Sequence, residues 1–320
     1  MGGWIRSALG LPLGALSFVI LIFVLNPLQM LSVLVRPFSK SAFREVNRWF
    51  ARFIWGLWVV MAERLVGIEM RFTGDPIRKG ENALVLSNHQ TMADVMVLLT
   101  YAWRSARIGD MKWFVKDVVK WVPGPGWGMV FLDCIFLKRN WAQDRAGVER
   151  LFGKFQSEGI PIFLVSFLEG TRKTPEKHAR SVAFARERGL YEPRYTMIPR
   201  TKGFVATMTG LREHLDAVHD VTIAYGDQVP SLVDCFAGKV RRVDIHLRRF
   251  AVDDLPTEEA ALVQWVMDRY REKDELLAAH AETGTFPGPV RSGPVRALDW
   301  FRREPDRACP TPGLHGRTGM

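Results

Sequence analysis

Apolar residues divide the chain into three regions with different patterns. Residues 7–35 carry no charged side chain, and the run from Leu16 to Leu25 is almost wholly aliphatic or aromatic. Residues 67–283 alternate short apolar runs with longer amphipathic stretches, and residues 284–320 are rich in Pro, Gly and polar side chains. We therefore predict a membrane anchor with interfacial helices at 1–66, an α/β domain at 67–283 and a weakly ordered tail at 284–320.

The middle region predicts a mixed, mainly parallel sheet flanked by helices. Short apolar runs bounded by turn residues are typical of buried strands, and alternation of such runs with helical patterns favours helices on the faces of one sheet. Strands are predicted at Ala83–Leu86, Lys112–Val115, Cys134–Leu137, Ile160–Val165, Met197–Ile198, Val218–Ala224 and Val243–Leu247. Helices are predicted at Val95–Arg104, Trp141–Glu158, Thr174–Arg188, Gly203–Leu215 and Thr257–His280.

The apolar N-terminal region is either a retained membrane segment or a signal peptide. It is longer than the usual signal-peptide core of roughly 7–15 residues, and no small-x-small cleavage site follows it, so retention is favoured. A hydrocarbon core is crossed by about 20 apolar residues, which the region supplies. Pro12, Pro27 and Pro37 leave open a kinked, partly re-entrant insertion in place of a full span.

Basic residues follow the anchor on one side only. Arg36, Lys40, Arg44 and Arg48 come after it, whereas Arg6 is the only charged residue before it. Basic residues favour the cytoplasmic side, so we expect the main domain to face the cytoplasm at the inner membrane.

An aromatic cluster then follows. It lies either in the headgroup layer or in an ordinary packed core helix. Its members are Trp49, Phe50, Phe53, Trp55 and Trp58.

Charge narrows the choice of partners without fixing it. Lys and Arg total 44 against 34 Asp and Glu, a formal net charge of +10, which favours an anionic membrane surface, a phosphorylated metabolite or nucleic acid. Nucleic-acid binding rests on charge alone and is not expected. The three cysteines are widely spaced, and no metal-binding His-Glu-x-x-His pattern occurs, so neither a disulfide framework nor a metal site is predicted.

The segment Asn-His-Gln-Thr-Met-Ala-Asp at 88–94 holds a candidate general base. An alcohol is a poor nucleophile at neutral pH, and histidine suits removal of its proton when an acidic partner fixes the tautomer. His89 and Asp94 are assigned these roles. Thr91 followed by Asp94 before an apolar run also fits a capping box at a helix start, so the spacing alone leaves both interpretations open.

The segment Phe-Leu-Glu-Gly-Thr-Arg at 167–172 supplies groups that suit a phosphate. Gly170 allows an unusual backbone turn, Thr171 offers a hydroxyl and Arg172 a guanidinium fork. This segment and the one at 88–94 each follow a predicted strand. Because sites gather at the strand ends of α/β sheets, we expect the two segments to converge.

These residues resemble the signature blocks of the 1-acyl-glycerol-3-phosphate (lysophosphatidate) acyltransferase family. Residues 88–94 resemble the first block, 135–139 (Ile-Phe-Leu-Lys-Arg) the second, 167–172 the third and 197–199 (Met-Ile-Pro) the fourth. Longer similarities at 138–141 and 199–204 resemble the branch of lysocardiolipin-type and related bacterial inner-membrane enzymes. Cys134 and Lys138 depart from the glycine and aspartate of many bacterial members, which puts the acceptor's identity in question.

The resemblance implies direct acyl transfer from a thioester to a lysophospholipid hydroxyl, with His89 as base. It implies that Arg139 and Arg172 bind the acceptor phosphate with help from Lys138, and that Glu169 binds the acceptor hydroxyl or orients an arginine. It also implies close backbone approach at Gly170 and a wall at Pro199 near the thioester.

The implied donor is acyl-CoA or an acyl-carrier protein, used as a co-substrate, with no cofactor. The expected acceptor is 1-acyl-glycerol-3-phosphate, giving phosphatidate. Alternatives are lysophosphatidylglycerol, lysophosphatidylinositol or a lysocardiolipin type. A non-catalytic membrane scaffold with the same fold is a further hypothesis. Without the other blocks, Lys138 and Arg139 also fit solvated surface charges.

Overall fold

A single mixed sheet organises the α/β domain. The computed structural model describes residues 3–138, 140–226 and 228–295. Within these ranges seven strands lie in the order β1-β7-β6-β2-β5-β3-β4. They are β1 (Glu69–Gly74), β2 (Ala83–Ser87), β3 (Met111–Lys116), β4 (Ile135–Leu137), β5 (Phe163–Ser166), β6 (Ala217–Tyr225) and β7 (Arg242–Ala251). β2 to β6 run parallel, whereas β1 and β7 are parallel to each other and antiparallel to β6. The predicted mixed, mainly parallel sheet is confirmed.

Helices cover both faces of the sheet because its central strands are apolar on both sides. Ala83 and Val85 of β2 face one core cluster, and Leu84 and Leu86 face the other. The helices are α1 (Gly3–Ile20), α2 (Asn26–Ser32), α3 (Lys40–Val60), α4 (Ala93–Arg104), α5 (Pro125–Phe131), α6 (Trp141–Ser157), α7 (Pro175–Glu187), α8 (Thr201–Leu211), α9 (Leu232–Phe236) and α10 (Glu259–Thr283). The N-terminal helices and α4 pack on the first face, and α6, α8 and α10 on the second.

Two strand predictions need correction. Met197 and Ile198 form no strand, since the N–H of Ile198 donates to the Ser181 hydroxyl at 2.8 Å in place of a ladder partner. β1 was not predicted because Arg71 interrupts its apolar alternation. That charge is tolerated in the sheet because its guanidinium pairs with Asp244 of β7 at 3.4 Å.

The N-terminal helices form an apolar layer against the domain. Residues Ala8–Val35 make one long apolar helical stretch, with π-helical geometry at Leu21–Leu25, and by length and composition this stretch alone among the described residues qualifies as a membrane span. Trp55 and Trp58 of α3 are buried beneath it, whereas Trp49 is exposed. The aromatic cluster therefore contributes both to the core and to the surface.

The described part of the C-terminal segment, 284–295, runs along β1. Arg291 exchanges two backbone hydrogen bonds with Phe72, at 2.9 and 2.7 Å, and Phe286 is buried. The N–H of Val295 donates to the Glu63 carboxylate at 2.7 Å. The remainder of the predicted tail, 296–320, lies outside the described residues.

Candidate active site

The loop after β2 holds the imidazole of His89 against a buried carboxylate. Nδ1 of His89 lies 3.0 Å from Oδ2 of Asp94, whose side chain is fully buried at the start of α4. A carboxylate accepts, so Nδ1 carries the proton and Nε2 is left as the basic nitrogen. The imidazole side chain is 12 % exposed, which leaves a narrow access to it. The predicted pair is brought together with the geometry a general base requires.

The Asp94 carboxylate is fixed by three further donors. Oδ2 accepts the N–H groups of Gln90 at 2.7 Å and Thr91 at 2.9 Å, and Oδ1 accepts the Tyr225 hydroxyl at 2.7 Å. The N–H of Asp94 donates to the Thr91 carbonyl at 3.3 Å and not to its hydroxyl, so only the half of a capping box in which Asp94 accepts the Thr91 N–H is formed. One carboxylate therefore both organises the helix start and orients the histidine, and the two interpretations of the spacing are compatible.

An aromatic ring supports the histidine from the neighbouring strand. The rings of His89 and Phe167 stack at a centroid distance of 3.9 Å and an angle of 14°. Trp113 of β3 packs behind Phe167 at 6.2 Å. Stacking restricts rotation of the imidazole and helps to keep its orientation toward Asp94.

The two chemical segments are joined directly through their backbones. β2 and β5 are neighbours, and residues 88–94 and 167–172 follow them at the same edge of the sheet. The N–H of His89 donates to Oε1 of Glu169 at 3.2 Å, and the N–H of Lys173 donates to the His89 carbonyl at 2.9 Å. The convergence expected from the sequence is present.

The Glu-Gly-Thr-Arg segment forms a tight turn beside the histidine. Gly170 has φ of +69°, and a Cβ there would lie 2.9 Å from Nε of Arg200. The Thr171 hydroxyl accepts from Nζ of Lys177 at 2.8 Å, and the Arg172 side chain is exposed. The turn thus brings Lys177 to Thr171 and leaves the Arg172 guanidinium exposed, in the segment whose Glu169 contacts the His89 backbone.

Of the remaining predicted residues, Pro199 adjoins this turn, Lys138 lies two strands away from it and Arg139 lies outside the described part. Pro199 is buried, and the following residue, Arg200, donates its N–H to the Leu168 carbonyl at 2.8 Å, so the fourth block adjoins the third. Lys138 follows β4 at the same edge, with β3 between β4 and β5, and its side chain is exposed. Arg139 lies outside the described residues, and its role stays a prediction.

Three neighbours of the site were not predicted. Tyr225 ends β6 and donates to Asp94, Phe167 stacks on His89, and Lys177 of α7 donates to the Thr171 hydroxyl. A signal existed for Phe167, which belongs to the matched block. Tyr225 and Lys177 act through contacts between separate elements, which no local spacing shows.

Glu169 lies beneath the histidine loop, where burial dominates its chemistry. Its side chain is buried, Oε1 accepts the His89 N–H, and within the described ranges Oε2 has no hydrogen-bond partner. Burial raises its pKa to about 8, although the His89 N–H partly opposes the shift. The carboxyl is therefore mostly neutral at pH 7. The geometry makes Glu169 a support for the His89 backbone, and its contact with the acceptor stays a prediction.

We expect Glu169→Gln to reduce the pH dependence of stability. The folded protein holds a proton on Glu169 between pH 4.5 and about 8 that the unfolded chain releases, so stability falls as pH rises through this window. At about 1.4 kcal/mol per pKa unit, the free energy of unfolding of the wild type should fall by on the order of 3–5 kcal/mol over this window. The Glu169→Gln variant should not show this fall, because glutamine does not titrate. Denaturant unfolding at pH 5 and pH 8.5 measures this. Glu187→Gln on the exposed end of α7 is the control, and equal slopes in all three proteins would contradict the expectation.

Comparison with known proteins gives the family. Residues 69–226 match the family model described as Acyltransferase, and residues 234–303 match the one described as Acyltransferase C-terminus. The chain is 35 % identical over 302 residues to 1-acyl-sn-glycerol-3-phosphate acyltransferase 2 of Brassica napus, covering 91 % of this chain and 77 % of the relative. The chain belongs to the 1-acyl-sn-glycerol-3-phosphate acyltransferase family. It is an acyltransferase.

Animal relatives and a solved structure agree with this family. The human 1-acyl-sn-glycerol-3-phosphate acyltransferase gamma is 33 % identical over 276 residues, covering 85 % of this chain and 73 % of the relative. The crystal structure of the 1-acyl-sn-glycerophosphate (LPA) acyltransferase from Thermotoga maritima superposes with a TM-score of 0.50 at 17 % identity. It covers 86 % of this chain and 98 % of that one, which confirms the shared fold. The chain's membership of this family confirms the resemblance of the four blocks at the level of the family.

Proposed function

We propose that this acyltransferase moves a fatty acyl group from a thioester to the free hydroxyl of 1-acyl-glycerol-3-phosphate, giving phosphatidate. Nε2 of His89 takes the hydroxyl proton as the oxygen attacks the thioester carbonyl. The carbon–sulfur bond then breaks, and the thiolate leaves and recovers the proton from the imidazolium. Asp94 holds the tautomer and stabilises the imidazolium. The acyl group passes directly to the acceptor without an acyl-enzyme intermediate.

One observation carries the proposal. The His89 backbone bonds both the side chain of Glu169 and the N–H of Lys173, which places the base beside the cation-bearing turn. A phosphate held by Arg172 would therefore lie near the basic nitrogen. Each charge-assisted hydrogen bond contributes on the order of 1.5–3 kcal/mol to binding, which is enough to position an acceptor. Arg139 and Lys138 are proposed to add to this site.

Product analysis of the purified full chain tests the proposal. Acyl-CoA and acyl-carrier protein are each offered with 1-acyl-glycerol-3-phosphate, and the lipid product is identified by mass. We expect phosphatidate and one equivalent of free thiol. Thiol release without a phospholipid product, or no release from any donor, would contradict acyl transfer to this acceptor.

Other lysophospholipids are the second candidate acceptors. Lys138 and buried Cys134 differ from the residues that the resemblance leads one to expect in many bacterial lysophosphatidate enzymes, so the acceptor pocket need not match theirs. Lysophosphatidylglycerol, lysophosphatidylinositol and lysocardiolipin, offered in the same assay, measure this preference by their relative kcat/KM. A membrane scaffold without catalysis is the hypothesis that remains if none is acylated.

We also propose that the N-terminal apolar stretch lies along one leaflet at the inner membrane, with the domain on the cytoplasmic side. A Cβ on Gly10 would collide with the Phe236 carbonyl, and Oδ1 of Asn26 accepts the Gly124 N–H at 2.9 Å. Sixteen helical residues rise about 24 Å, so two contacts this far apart keep the helix beside the domain. A helix crossing a core about 30 Å thick would carry one of these ends away from it.

The outer face of this stretch is suited to lipid. Its exposed apolar side chains include Leu13, Leu16, Phe23, Leu31 and Leu34, and basic Arg36 and Lys40 follow. An apolar face with basic neighbours is typical of an interfacial helix on an anionic surface. Labelling of single cysteines placed before residue 7 tests the arrangement in sealed vesicles. Access from the same side as the domain is expected, and access only from the opposite side would support a full span.

A further inference from the structure

The connection between β3 and β4 exposes large apolar side chains beside the anchor. Val118 is 65 % exposed, Trp121 72 % and Val122 47 %, all within five consecutive residues. Soluble surfaces rarely group such side chains without a partner. Nothing in the catalytic proposal uses them, so they need a separate explanation. We call residues 116–122 the tryptophan loop.

The turn that directly follows the tryptophan loop is held by buried contacts with the anchor. Gly124 donates its N–H to Asn26, whose side chain is fully buried, and a Cβ on Gly124 would lie 3.1 Å from Cγ1 of Ile22. Gly124 has φ of +84°, which favours glycine at this turn. The loop therefore presents its apolar side chains from a fixed backbone, directly next to the lipid-suited face of the stretch 8–35.

Basic groups in the loop match an anionic headgroup layer. Lys116 is exposed, and Nζ of Lys120 lies 5.4 Å from the Trp121 ring centroid while pairing with Asp117 at 2.8 Å. A tryptophan with lysines beside it is the composition found at membrane–water interfaces.

The loop is also connected to the catalytic edge. It follows β3, whose Trp113 packs on Phe167, and Phe167 stacks on His89. The end of β3 lies at the same edge of the sheet as the ends of β2 and β5. The tryptophan loop therefore extends the strand whose Trp113 supports the ring that stacks on His89.

We propose that the tryptophan loop is a second membrane contact, which inserts into an anionic lipid interface and seats the entrance to His89 against it. This rests on the proposed function, because it assumes that the acceptor is taken from a lipid surface. The occupant is the bilayer itself, chosen because the loop is continuous with the anchor's lipid-suited face and carries complementary charge.

A fluorescent label tests the contact without reference to catalysis. Trp121→Cys is labelled with a polarity-sensitive dye in the full chain carrying Cys309→Ser. Cys134 and Cys235 are buried, and burial raises the pKa of each thiol to about 12, so they react slowly. The control is Val290→Cys, an exposed position beside β1 at the opposite edge of the sheet. A blue shift at 121 and none at 290, larger in phosphatidylglycerol than in phosphatidylcholine vesicles, is expected.

Two results would overturn the contact. The first is an emission shift on adding vesicles that is the same for the label at position 121 as for the label at position 290. The second is a shift that follows protein concentration and not lipid, which would show a second copy of the chain on this surface.

Kinetics separate this contact from the proposed function. A Val118→Ser, Trp121→Ser, Val122→Ser variant should lose at least about 10-fold in kcat/KM on acceptor in vesicles, because it no longer buries these side chains. It should retain its rate on a dispersed short-chain acceptor. Val290→Ser is the matched control. If no acceptor is acylated but the label still shifts, the catalytic proposal fails and the contact stands. If the triple variant keeps the wild-type kcat/KM both on the acceptor in vesicles and on the dispersed acceptor, the proposed contact is wrong.

Discussion

His89→Ala should lower kcat by about 10²–10⁴-fold, because it removes the proposed general base that takes the acceptor proton. The imidazole is held by Asp94 at 3.0 Å and by stacking on Phe167 at 3.9 Å, so its loss removes a base already positioned for the reaction. The rate of thiol release from acyl-CoA with 1-acyl-glycerol-3-phosphate measures the effect.

The matched control for this variant is His214→Ala. Its Nε2 contacts the Ile160 carbonyl at 2.7 Å. Ile160 precedes β5, so this contact lies at the amino ends of the strands, whereas His89 lies at their carboxyl ends. We expect nearly wild-type kcat from this protein. Equal activity in wild type and His89→Ala would show that another group acts as base.

Asp94→Asn should reduce kcat by a similar factor of about 10²–10⁴ with a smaller change in KM. Oδ2 accepts from His89 Nδ1 and from two backbone N–H groups while Oδ1 accepts from the Tyr225 hydroxyl, whereas an amide can accept at only one of these two atoms. The imidazole then loses its fixed tautomer, and the imidazolium formed in the reaction loses its countercharge.

Tyr225→Phe provides the graded comparison. It removes a single 2.7 Å hydrogen bond to the same carboxylate and keeps the ring in place, so we expect roughly a 10-fold loss of kcat with an unchanged KM. Denaturant unfolding of each variant separates catalysis from stability. If the two substitutions instead raise KM and leave kcat unchanged, Asp94 and Tyr225 shape the acceptor site and do not support the base.

The catalytic histidine and its partner could be predicted because they are close in the chain. Asp94 lies five positions after His89, and the turn before α4 is enough to bring the two side chains together. Gly170 was predictable for the same reason, since its positive φ belongs to a local turn. Strand positions were predictable where apolar runs were uninterrupted, as in β2 and β4, and prediction failed for β1, where Arg71 is neutralised by a residue of β7.

Partners from separate strands could not be predicted. Tyr225 reaches Asp94 only because β6 lies beside β2, and that order depends on how all seven strands pack. The same holds for Glu169. Its motif suggested a role toward the acceptor, whereas its buried position under the histidine loop raises its pKa to about 8.

The sequence alone determined the composition of the site and the apolar character of the N-terminal stretch, because both are written in residue types and short spacings. Only the tertiary structure decided the neighbours. It set β5 beside β2, joined the backbones of His89 and Lys173, and laid the apolar stretch along the domain with the tryptophan loop next to it. The physical reason is that these contacts join elements far apart in the chain, and their geometry follows from packing two cores on one sheet.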